Sequence, residues 1–140
     1  MTPVVVKKEF KRILKPNGII VFIWNERLVN TEFEKEYDEL IVKYATDYIK
    51  IDHRNIDYER IKRFFAPNSC ELKIFPNYQD FDFDGLKGRL LSSSYIPQSE
   101  NNSYDAMITE LKDLFNKYEQ DNTIRISYDT KVYTSTLNVY

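Results

Sequence analysis

The sequence has 140 residues, of which 42% are apolar and 30% charged, and its formal net charge is −2. This composition predicts one soluble globular domain with a hydrophobic core, and the weak charge, spread over basic and acidic residues mixed along the chain, argues against a nucleic-acid partner. No run of 18 apolar residues occurs, so no membrane span or membrane partner is expected.

The first predicted elements are a helix, a tight turn and a strand. Thr2-Pro3 favours a helix start, and apolar residues recur at helical spacing up to Leu14. Pro16 ends this helix, and Asn17-Gly18 forms the turn. The continuous apolar run Ile19 to Trp24 then predicts a strand buried on both faces, in the middle of a sheet covered by helices. Helix, turn and strand together make half of a βαβ unit, which indicates an α/β fold.

Two helices are predicted to follow this strand. Thr31 and Glu34 form a capping box, and helical spacing of apolar residues continues from it to Tyr48. A loop through His53 leads to a shorter helix at about 57–65.

The remaining residues predict two strands and two helices. The segment 70–74 alternates apolar and polar residues, as a strand does. Asp84 is expected to cap a short helix, and Ser103 a long one. Segment 123–137 is interpreted as one long strand with a bulge near Asp129, and a hairpin at that point is the alternative.

Several short motifs occur in a fixed order along the chain. An R-x-L-K-P-G-G-like turn comes first, with Asn17 in place of its first glycine. The later motifs are WNER at 24–27, a helix end at 44–48, FFAP at 64–67 and GRLLSSSYIP at 88–97. Together they resemble the C-terminal half of class I, Rossmann-like S-adenosylmethionine-dependent methyltransferases of the small-molecule branch. The resemblance covers nearly the whole chain.

The resemblance implies a partial Rossmann-like methyltransferase sheet with flanking helices. It would contain the family's last three strands, with the Ile19 strand formerly central and the last two strands paired antiparallel. Residues 1–140 would form a single domain, the C-terminal portion of a methyltransferase domain. The family holds its cofactor with a glycine-rich turn and an acidic residue upstream of this portion, and Gly18, Gly85 and Gly88 form no G-x-G motif. We therefore expect a truncated chain that, alone, binds no S-adenosylmethionine and is inactive.

Candidate substrate-binding residues lie in two segments. Ligands of open α/β sheets bind beyond the carboxyl ends of the strands, where the Ile19 strand ends. The resemblance brings the GRLLSSSY segment over the same edge. The candidates are Trp24, Asn25, Arg27, Arg89, Ser92 and Tyr95. Two arginines in one pocket favour a small-molecule substrate that bears a carboxylate. Alternatively, Arg27 pairs with Glu26 or Glu32. No catalytic residue is assigned.

Metal ligation is not expected. His53 is the only histidine, and Cys70 is the only cysteine, which excludes an internal disulfide and suits a cytoplasmic location. The i, i+2, i+4 spacing of Asp80, Asp82 and Asp84 hints at a calcium loop. The intervening phenylalanines and the missing glutamate favour a solvated strand edge instead.

Two other functions are open. Without an upstream neighbour, the Ile19 strand would present an apolar edge that invites pairing with another chain. The chain would then be a non-catalytic oligomerisation or interaction module, and a homo-oligomer is expected. In the other interpretation the chain is one half of a split enzyme, and a separate N-terminal half carries the cofactor.

Overall fold

The computed structural model describes residues 2–45 and 58–137, and its fold is α/β. Within these ranges the chain forms five helices and three strands. In chain order these are α1 (Pro3–Ile13), β1 (Ile19–Arg27), α2 (Glu32–Tyr44), α3 (Tyr58–Phe65), β2 (Glu71–Phe81), α4 (Phe83–Leu91), α5 (Tyr104–Tyr118) and β3 (Ile124–Thr136).

The three strands form one antiparallel sheet in the order β1-β3-β2. The last two strands are antiparallel neighbours, as predicted, and β3 is a single long strand instead of a hairpin. Because β3 runs opposite to both neighbours, β1 and β2 point in the same direction. Their connection, which includes α2 and α3, is therefore a crossover, and their carboxyl ends lie at the same end of the sheet.

The prediction that β1 is buried on both faces is wrong for this chain. Ile20 is 5% exposed, whereas its neighbours Ile19, Val21 and Ile23 are 67%, 48% and 62% exposed. Side chains alternate between the two faces of a strand, so one face of β1 is covered and the other is open. A continuous apolar run indicates that both faces of the strand are apolar. It does not indicate whether other elements of the fold cover one face or both.

Capping explains where the helices begin. The predicted capping box of α2 is confirmed: Thr31 Oγ1 accepts from the Glu34 backbone N–H at 3.1 Å, and Glu34 accepts from Thr31 in return. The cap of α4 is Asp82 and not Asp84, because Asp82 Oδ1 accepts from the Gly85 N–H at 2.7 Å. Ser103 is the N-cap residue of α5 but makes no side-chain capping bond. Helix α2 is shorter than predicted, because it ends at Tyr44 and Ala45 is already extended; Tyr48 lies outside the described residues.

The chain divides into two compact units. Unit 1 comprises residues 1–26, 53–76 and 129–140, and unit 2 comprises 27–52 and 77–128. The core of unit 1 is built on Ile20, Phe65 and Leu137. The core of unit 2 is larger and joins α2, α4 and α5 to the first part of β3.

Charge is distributed unequally between the units. Unit 1 contains 11 Lys and Arg against 6 Asp and Glu, a net charge of +5, whereas unit 2 contains 9 against 16, a net charge of −7. The small net charge of the whole chain therefore hides a basic unit and an acidic one.

Candidate functional site

Arg27 is the last residue of β1 and therefore lies at the carboxyl end of that strand. Its Nη2 donates to Asp38 Oδ1 at 2.8 Å, and the two side chains are only 14% and 18% exposed. The guanidinium also lies over the ring of Tyr37, with Cζ 5.3 Å from the ring centroid. The acid that pairs with Arg27 thus comes from α2, which folds back over the strand end. Of the acids considered from sequence, Glu26 pairs with a lysine of β3 and Glu32 with a lysine of α2.

Arg89 lies on α4, in the same unit as Arg27. Its Nε lies 3.5 Å from the Tyr128 hydroxyl, and its Nη1 lies 3.4 Å from Ser92 Oγ. Burial opposes the positive charge, but the bond to Tyr128, together with the nearby Tyr37 and Tyr95, outweighs it, and the pKa of Arg89 is raised. Arg89 is therefore a firmly charged group whose side-chain bonds go to neutral hydroxyls.

Tyr37 links the two arginines. Its side chain is 3% exposed, and burial raises the pKa of its phenol far above the ordinary value. Arg27 and Arg89 both act electrostatically on this group in the opposite direction. Two guanidiniums from distant parts of the sequence therefore act on one buried, neutral hydroxyl. Below, the Tyr37 cluster means Arg27, Tyr37, Arg89, Tyr95 and Tyr128.

Four of the six predicted site residues lie in or beside this cluster. Arg27, Arg89 and Tyr95 belong to it, and Ser92 contacts Arg89. All four belong to unit 2. The fold therefore brings Arg27 close to the Arg89 segment, although more than 60 residues separate them in the sequence.

Trp24 and Asn25 make their contacts elsewhere, in unit 1. The Trp24 ring stacks on Tyr133, with centroids 4.8 Å apart. Asn25 Oδ1 accepts from Thr130 Oγ1 at 2.6 Å. Both contacts bind β1 to β3, which gives these two residues a role in strand pairing.

Sequence reasoning missed three residues of the site. Tyr37 occupies the apolar face of α2, and Tyr128 alternates with apolar residues of β3, so neither sequence pattern distinguishes a site from a core. Asp38 carries no motif. The order of elements could have indicated Tyr37 and Asp38, because a helix that directly follows a strand places its first turns near the end of that strand.

The other acidic and sulfur groups have separate roles. Asp80 accepts two bonds from the Arg125 guanidinium, at 2.8 and 2.9 Å, and Asp82 caps α4. Burial raises the pKa of the Cys70 thiol, which disfavours the reactive thiolate. His53 lies outside the described residues. Among the residues that are described, no group of three or more His, Cys, Asp or Glu is placed to hold a metal ion.

Within the described ranges, none of the helices has the length and apolar character needed to cross a bilayer.

The glycines also bear on ligand binding, because a cofactor cradle needs space beside a residue without a Cβ. A Cβ on Gly18 would lie 2.8 Å from Leu14 Cδ2, and one on Gly85 would lie 3.1 Å from Asp82 Oδ1. Their missing Cβ atoms thus make room for the helix end and for the cap, not for a ligand.

The basis for a function is the geometry of the Tyr37 cluster together with the ordered motifs. No functional residue can be transferred from a relative. The sequence matches no protein-family model, and comparison with the curated proteins also gives no match.

Proposed function

We propose that this chain is the substrate-side part of an S-adenosylmethionine-dependent methyltransferase that acts on a small molecule bearing a carboxylate. The observation that carries the proposal is that Arg27, which lies over the Tyr37 ring at the carboxyl end of β1, and Arg89 of α4 both act electrostatically on the buried Tyr37 hydroxyl. Ligand sites of open α/β sheets occupy this position. The strand order also supports the proposal, because the last two strands pair antiparallel, as the resemblance implies.

The charges of the cluster favour an anionic ligand. Arg27 already pairs with Asp38, whereas the side-chain bonds of Arg89 go to the uncharged hydroxyls of Tyr128 and Ser92. A carboxylate would supply the counter-charge of Arg89 and could accept two parallel hydrogen bonds from its planar guanidinium. The tyrosine hydroxyls would orient the rest of the ligand as neutral donors. Tyr37 stays protonated at neutral pH, so we assign it no role as a general base.

The residues present do not fit the cofactor itself. Gly18 and Gly85 do not open to a ligand, Gly88 has open space beside it but lies inside α4 and not in a turn, and no G-x-G motif exists. In this proposal the cofactor is therefore held by residues outside these 140. The contribution of this chain is to bind and align the substrate and to keep water from it, which accounts for much of the catalysis of group transfer between two bound reactants.

A titration of the chain tests the proposal. We expect no binding of S-adenosylmethionine with a dissociation constant tighter than about 10 μM. We also expect benzoate, and not its neutral isostere benzamide, to shift the Arg89 side-chain signals in nuclear magnetic resonance spectra. Tight cofactor binding would refute the absence of a cofactor site, and an equal response to both aromatic ligands would refute the anion site.

A second candidate function, assembly through β1, is favoured by one observation. Ile19, Val21 and Ile23 form an open apolar face on a strand that lies at the edge of the described sheet. Exposed edges of this kind pair readily with another chain. A symmetric dimer that packs the open β1 faces of the two copies against each other would cover these side chains in both copies.

We expect light scattering at micromolar concentration to report about twice the chain mass of 16.8 kDa. Val21→Lys places a charge on the open face and should give the monomer. Val42→Lys is the matched control, because Val42 is 54% exposed on α2, and this variant should remain a dimer. A parent mass near 16.8 kDa would contradict assembly.

A further inference from the structure

We infer that the cleft between α1 and α3 binds small amphiphilic anions, molecules with an apolar chain and one anionic head group. The cleft has a volume of about 620 Å³ and lies entirely in unit 1. Its lining consists of Pro3, Val4, Lys7, Phe22, Arg60, Ile61, Arg63 and Phe64. This site is separate from the Tyr37 cluster and does not depend on the proposed function.

The floor of the cleft is apolar and only partly covered. Phe22 of β1 and Phe64 of α3 have ring centroids 5.4 Å apart, and Phe10 packs 6.2 Å from each of them. Phe22, Ile61 and Phe64 remain half-buried. Val4 stands at the rim and is 78% exposed. An apolar chain laid on this floor would remove water from aromatic surface that the fold itself leaves accessible.

Two of the cations that line the cleft, Lys7 and Arg63, differ from their neighbours outside it. Lys7 Nζ donates to the Ala66 backbone carbonyl at 3.0 Å, and Arg63 Nε donates to the Glu59 carbonyl at 3.3 Å. Neither acceptor carries a charge. On the same two helices, but outside the cleft, Arg12 and Lys62 form ion pairs with carboxylates. Within the described part of the chain, Lys7 and Arg63 thus lack the carboxylate partner that Arg12 and Lys62 have, and an anionic head group would provide it.

The dimensions and the lining select the class of ligand. Cavities of about 300–1,000 Å³ with mostly apolar linings and a few polar groups are typical of small-molecule sites. An inorganic anion would use the cations and leave the aromatic floor exposed to water. A cationic or neutral amphiphile would use the floor but place no negative charge near Lys7 and Arg63. A fatty-acid-like carboxylate uses both parts of the cleft.

Calorimetric titration with decanoate below its micellar concentration tests the inference. We expect a dissociation constant on the order of 100 μM. The double variant Lys7→Gln, Arg63→Gln should bind at least fivefold more weakly. The matched control Lys8→Gln, Lys62→Gln removes the same charge from the same two helices outside the cleft, and it should bind within twofold of the parent chain.

Val4→Glu provides an independent variant, because its exposed position at the rim allows the chain to fold as before. The added carboxylate should weaken decanoate binding about tenfold. The far-ultraviolet circular dichroism spectrum should stay unchanged, which would show that the variant is folded. Equal binding of decyltrimethylammonium, equal binding of inorganic phosphate, or equal losses in the two double variants would overturn the inference.

Discussion

Replacement of Glu34 by alanine is expected to lower the free energy of unfolding by about 3 kcal/mol, since three backbone N–H groups would lose a charged acceptor. Glu34 is 1% exposed. Its Oε1 accepts from Thr31 at 3.0 Å and from Asn30 at 3.2 Å, and its Oε2 accepts from Ser127 at 2.8 Å. The Glu34 carboxylate thus accepts hydrogen bonds at the start of α2 and also links this helix to β3. Urea denaturation followed by circular dichroism measures the loss.

Two further variants separate this role from an ordinary surface charge. Glu34→Gln keeps the shape of the side chain but replaces one acceptor oxygen by a donor, so we expect about half of the alanine effect. Glu32 lies on the same turn with its side chain 74% exposed and pairs with Lys35. Its replacement by alanine should cost about 0.5 kcal/mol or less. Equal losses for Glu34→Ala and Glu32→Ala would show that the buried network adds nothing.

The second large effect concerns substrate use and rests on the proposed function. In a methyltransferase that contains this chain, Arg27→Ala or Arg89→Ala should lower kcat/KM for the carboxylate substrate by about 10- to 150-fold. The KM for S-adenosylmethionine should stay nearly constant. Lysine at either position should restore only part of the activity, because a point charge cannot form two parallel bonds to a carboxylate.

Arg125 supplies the control for these variants. It is an arginine of the same unit that binds Asp80 with two hydrogen bonds and lies over Tyr78, with Cζ 3.7 Å from the ring centroid. Arg125→Ala should keep kcat/KM within twofold of the parent. If Arg27→Ala and Arg89→Ala do the same, both arginines are structural, and the substrate site lies elsewhere.

Local structure was predictable where a few neighbouring atoms decide it. The capping box of Thr31 and Glu34 is one case, and the turn after α1 is another. Asn17 has φ 64°, a left-handed conformation that Asn tolerates better than most residues. Strand β2 is longer than its alternation predicted and passes through Pro76. An edge strand tolerates proline because the missing N–H can face away from the ladder.

Burial was less predictable, because it depends on segments far away in the sequence. The run at Ile19 correctly indicated a strand, but the number of layers that cover it is a property of the whole assembly. Charge shows the same limit. Basic and acidic residues alternate along the chain, yet each unit is assembled from separate segments, and the sorting into basic and acidic units appears only after folding.

Arg27, Arg89 and Tyr95 of the candidate site were predictable from the sequence, whereas Tyr37, Asp38 and Tyr128 were not. Arg27 stands out because it follows a strand end, and Arg89 stands out because the resemblance places its segment over the same edge. Tyr37 and Tyr128 do not stand out, since a tyrosine on an apolar face fits a core as well as a site. Only the structure shows which hydroxyls lie beside which guanidinium.

The strand order also bears on biosynthesis. Strand β3 pairs with both outer strands but is the last of the three to leave the ribosome. At typical rates of about 5–20 residues per second, roughly 100 residues separate β1 from its partner by about 5–20 s. During this interval the backbone N–H and C=O groups of β1 that later pair with β3 are open to other nascent chains. The speed of translation therefore sets how long this edge of β1 waits for its partner strand.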